Sequence, residues 1–136
     1  MAFLSGCGDD DPFAAYCDEV QDQQRPLTEA LAQGAPTGLL AALPSFRALA
    51  EQAPDDLVDE WAVVTQRLAT LERALSAADV DPGSYDPQRP PSGLTDGERA
   101  VIETAAIALV EPAMSNALDA VQQQSRDVCK APLSLS

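Results

Sequence analysis

The sequence predicts an all-α protein, an antiparallel bundle of four principal helices, some of them kinked or split at proline. Three observations carry that expectation. Large apolar residues recur at Leu57, Trp61, Val64, Leu68, Leu71 and Leu75, at spacings of 4, 3, 4, 3 and 4. At about 100° per residue they fill an arc of roughly 80°, one narrow stripe that needs partner helices to cover it. The same rhythm returns at Met114, Leu118, Val121, Ser125 and Val128, while no stretch alternates with the period of two that a half-buried strand requires. Proline and glycine fall between the periodic segments and punctuate them.

A chain of 136 residues makes one domain. Its organisation reads as a tether over 1–11, a helical bundle over 12–130 and a C-terminal tail over 131–136. With aromatics at 4% and alanine abundant, helices can approach closely and leave little internal space.

The first helix starts at Asp11, a good N-cap, with Pro12 suited to the first helical position. Phe13, Tyr16, Val20, Leu27 and Leu31 keep the helical period, and Pro26 inside the pattern should kink or divide it. The stretch from Gly34 to Gly38 ends the segment. A second segment over about 39–52 has Leu39, Leu43, Phe46 and Ala50 on its apolar face. Pro44 makes it either kinked or two short pieces. Pro54 opens the central helix, with Asp55, Asp56, Asp59 and Glu60 at the end where the helix dipole favours negative charge. So short a connection makes the second and third segments antiparallel neighbours.

Residues 79–94 hold four prolines and two glycines, which excludes helix and central strand. This is a loop across the outside of the bundle, held down by the Tyr85 ring. Thr95 and Glu98 form a capping-box pattern that starts a helix carrying Val101, Ile102, Ala105 and Leu109. Glu111-Pro112 breaks it, the last helix follows, and Pro132 stops that one.

The net charge is −14, and Lys130 is the only lysine among eight basic residues. Such a chain lacks the clustered cations that nucleic acid requires. The same charge opposes direct docking of the folded domain onto anionic lipid.

Leu4-Ser5-Gly6-Cys7 matches a bacterial lipobox, in which the cysteine is lipidated and becomes the new N-terminus. Two acyl chains on Cys7 would anchor the protein stably. A secretory signal also needs a charged region and an apolar run of about 7–15 residues. The match therefore predicts further coding sequence ahead of Met1. The alternative is a plain N-terminal tail with a free thiol. Export implies an oxidising compartment. Cys17, near the start of the first helix, and Cys129, near the end of the last, share one end of a bundle with an even number of rods. They are expected to form a disulfide.

With those residues stand Tyr16-Cys17, Ala53-Pro54-Asp55-Asp56 before the tryptophan helix, Tyr85-Asp86-Pro87, and Arg126-Asp127-Val128-Cys129. Together they resemble small lipoproteins or secreted helical proteins of actinobacteria over most of the chain. The resemblance implies a location and a fold, and no activity.

Chemistry is limited by what is missing. The sequence has no histidine, no CxxC pair and no glycine-rich phosphate loop. That removes histidine-based nucleophilic dyads, His-ligated zinc and the usual haem ligation. Asp79, Asp81 and Asp86 do not fit a calcium loop, because Gly83, Ser84 and Pro90 occupy its key positions. Turn formation is their expected role. No catalytic residue, metal site or cofactor is expected. Two functions remain. One is a non-catalytic lipoprotein on the outer face of the cell membrane, structural or binding another envelope protein, with a continuous exposed apolar patch. The alternative is an extracytoplasmic carrier or sensor of a small ligand, with a pocket near Trp61 or under the proline-rich loop, lined by Trp61, Tyr85 or Phe46.

Overall fold

The computed structural model describes residues 13–133 and 135. Cys7, Asp11 and Pro12 lie outside the described residues. Among those described there are six α-helices and no strand, an all-α bundle. They are α1 (Ala14–Leu31), α2 (Thr37–Ala41), α3 (Leu43–Glu51), α4 (Val58–Ala77), α5 (Asp96–Ala108) and α6 (Pro112–Gln124).

α4 is the axis of the molecule. Every residue of its stripe, from Leu57 through Leu75, is buried. α3 packs antiparallel to it, with the rings of Phe46 and Trp61 5.7 Å apart and Arg47 3.6 Å from Glu72. α5 and α6 cover other faces of α4, and α1 closes over α3. The left-handed turn at Asp79 (φ 57°) ends α4, with the Val80 N–H donating back to Leu75 O at 2.8 Å.

The prolines act differently according to where their missing N–H falls. α1 runs undivided through Pro26, which is exposed, so water can serve the carbonyl left without a donor. Pro44 does split its segment: Ala42 closes α2 and opens α3. Pro112 occupies the first turn of α6, where no N–H is needed, and α5 and α6 meet at 44°. Arg67 on α4 holds that corner, donating to Ala108 O at 2.6 Å and pairing with Glu111 at 2.9 Å.

Two close details seat the shorter elements. Gly38 lies so near the end of α1 that an added Cβ would stand 2.9 Å from Ala30 O, so only glycine allows that approach. Thr95 and Glu98 complete the capping box in both directions, at 3.0 and 2.9 Å.

Three expectations are corrected. Val101 belongs to no buried face; it is 58% exposed, whereas Ile102 and Ala105 of α5 and Leu109 just past its end are buried. The last helix widens into a π-helical turn over Ser125–Cys129, which leaves Val128 half-buried instead of in the core. The described part of the C-terminal tail, 131–133 and 135, packs on the bundle. Ala131, Leu133 and Leu135 are buried, and Gln122 Oε1 accepts the Leu135 N–H at 3.1 Å. The left-handed Lys130 (φ 54°) turns the backbone back onto the bundle.

Candidate functional site

Among the described residues the predicted site residues fall in three places: the disulfide, the core and the proline-rich loop. At one end, Cys17 and Cys129 are joined, their Sγ atoms 2.10 Å apart and their Cα atoms 5.1 Å apart. Cys17 lies in the first turn of α1 and Cys129 in the closing turn after α6, so opposite chain termini are tied across 112 residues.

Trp61 and Phe46 are core residues, at most 1% exposed. The Trp61 indole N–H donates to the Tyr16 hydroxyl at 3.0 Å, which consumes its polar edge. Burial pushes the Tyr16 phenol up to about 12, and the nearby Asp56 charge adds to this. The hydrogen bond from Trp61 works the other way. Trp61 and Phe46 fill the core, and neither lines the apolar hollows along α5.

Tyr85 behaves differently. It is buried beneath the proline-rich loop, and its carbonyl accepts from Thr37 Oγ1 at 3.1 Å. It lines a partly open cavity of about 220 Å³ against Pro87, Pro90, Leu94 and Ile102. Burial raises its phenol, with Glu103 and Asp86 adding negative charge nearby. The loop's aspartates shape its turns: Asp81 Oδ1 accepts from the Gly83 N–H and Asp86 Oδ1 from the Gln88 N–H, both at 2.9 Å.

A second hollow of about 400 Å³ adjoins the first. Ala35, Pro36, Leu39, Leu109 and Val110 line it, and Pro87, Ala106 and Ile107 line both. Together they form an apolar furrow along the outer side of α5, with Ile107 60% and Val110 82% exposed. Arg99 and Glu103 are its charged lining residues, both in the first hollow.

The furrow lies away from the disulfide. Ala35 and Pro36 follow the C-terminal end of α1, whose 18 residues span about 27 Å at the usual helical rise. Of the three residues expected to line a pocket, only Tyr85 reaches this surface. Ile107, Val110, Pro36 and Leu39 were not anticipated there. The signal was present: from Ala105 to Val110 the sequence is apolar without a break, too much for one buried stripe.

Among the described residues no group of three or more His, Cys, Asp or Glu converges on a point. No single described helix is long and apolar enough to cross a membrane. Comparison of the chain with protein-family models, curated proteins and solved structures gives no match.

Proposed function

We propose that the chain is a non-catalytic, extracytoplasmic helical module, held at a membrane through lipid on Cys7, whose task is to bind another envelope protein. The observation that carries this reading is the furrow around Ile107 and Val110. Monomeric proteins seldom leave large apolar side chains contiguous and open to water unless something covers them. Its position supports the same reading. Phe13, the first described residue, stands one turn from Cys17 at the disulfide end, and the furrow lies toward the other end of that helix. The Cys17–Cys129 bond supports an oxidising compartment.

The test is made in intact cells. Metabolic labelling with an alkynyl fatty acid should mark the wild-type chain and not Cys7→Ser. A photo-cross-linking residue at position 110 should give one discrete adduct that is absent when the probe sits at Asp119, an exposed position on α6. No label on Cys7, or identical adducts from both positions, would overturn the reading.

One observation favours a second reading, the small-ligand carrier. The 220 Å³ cavity under Tyr85 exceeds the roughly 150 Å³ that suffices to hold benzene. A saturable fluorescence response of Tyr85, lost in Tyr85→Leu, would support it.

A further inference from the structure

We infer that the furrow seats a basic amphipathic helix of the partner protein, with apolar anchors in the two hollows flanking Ile107. Resting on the binding-module reading above, this adds the chemistry of the partner.

Shape comes first. From Arg99 to Ala108, α5 advances about 14 Å, two and a half turns of a facing helix, and Leu109 and Val110 carry the furrow past its end. The hollows share Pro87, Ala106 and Ile107, so one continuous body can enter both. Residues three, four and seven apart on a helix face would reach them together.

Hydrogen bonding decides between a helix and an extended segment. An extended peptide must find donors and acceptors for its own backbone. The described residues contain no strand whose edge could supply them. The furrow's lining offers four prolines, which have no N–H, the side chains of Ala, Leu, Ile and Val, and polar groups only at Tyr85, Arg99 and Glu103 in the first hollow, too few to serve a whole extended backbone. A helix satisfies its backbone internally and needs only apolar contact.

Charge selects the sign. The chain carries −14, so a second copy would be repelled, and a cationic partner would be steered in. Glu103, which lines the first hollow, and Asp86, between the lining residues Tyr85 and Pro87, are exposed and have no ion pair among the described residues. Arg99 also lines the first hollow, without a carboxylate partner among the described residues. A helix with apolar anchors and flanking Lys or Arg complements that surface.

The probe is a labelled peptide of about eighteen residues, long enough to hold a helix. It carries leucine at i, i+3, i+4 and i+7 and lysine elsewhere. Binding to the full chain is followed by anisotropy at physiological ionic strength. Saturable binding is expected, with at least a tenfold loss in Ile107→Asp and in Val110→Asp. Each variant adds negative charge, so adhesion to the acidic surface alone would be tightened. Both positions are exposed, and circular dichroism checks that the variants stay folded. Unchanged or tighter binding in both folded variants overturns the inference, as does equal binding of a Leu/Glu peptide. So does displacement of the peptide by a free fatty acid at stoichiometric amounts, which would make the furrow an acyl-chain site. A discrete cross-link from position 110 in cells without any peptide binding would sink the basic helix and leave the binding module standing. Peptide binding without Cys7 labelling or that cross-link would do the reverse.

Discussion

Trp61 of α4 and Tyr16 of α1 meet inside the core, indole N–H to phenol oxygen at 3.0 Å. Both side chains are 1% exposed. The bond therefore joins two helices 45 residues apart in a place where neither group can turn to water instead.

Tyr16→Phe removes the acceptor and leaves the indole N–H buried and unpaired. The expected cost is about 1–3 kcal/mol. Urea unfolding followed by the fluorescence of Trp61, the only tryptophan, measures it directly. No loss of stability would mean that the bond is not made in solution.

The same phenol predicts an alkaline limit. Its value is raised from 10.0 to about 12 in the folded chain. Below pH 10 neither state is ionised and the stability is fully present. From pH 10 the unfolded chain ionises first, so stability falls as pH rises toward 12 and then levels off. In Tyr16→Phe this component of the alkaline decline should disappear. Midpoints of urea unfolding at pH 9 to 12 test the difference between the two proteins.

Reduction of Cys17–Cys129 opens a loop that spans 112 residues. In the chain-entropy account that costs on the order of 4–5 kcal/mol, a large share of an ordinary domain's stability. A melting temperature that does not change on adding reductant would show that the cysteines are not paired.

Leu68 is fully buried at the centre of the α4 stripe. Leu68→Ala should cost about 2–5 kcal/mol, because close-packed neighbours collapse only in part. A change below about half a kcal/mol would place the stripe in water.

Leu133 is 2% exposed and lies past the last helix. Leu133→Ala should cost about 2–4 kcal/mol in the same assay. A loose tail would give nothing measurable.

Most of the helical layout was legible in the residues. The 4-3-4-3-4 spacing specified α4 and its buried face, because a helix repeats every 3.6 residues whatever packs against it. Thr95 and Glu98 located the start of α5, because a capping box is a local bond pair. The Cys17–Cys129 pairing followed from the number and direction of the rods. The candidate site was legible only in part. Tyr85 lies under its loop as the sequence predicts, whereas Trp61 and Phe46, which the sequence groups with it, are consumed by the core.

Local periodicity thus determined on its own which segments are helical and which residues of α4 face inward, while whether the helices break at Pro26, Pro44 and Ser125 waited on the packing. Only the tertiary structure decided which side of α5 is covered. That helix is apolar on two sides, so no pattern within it could tell the face against α4 from the face left open beside Pro36 and Pro87. The fate of Leu133 and Leu135 was decided in the same way. Short segments without a period bury themselves wherever the backbone, turned by Lys130, meets an uncovered patch of core.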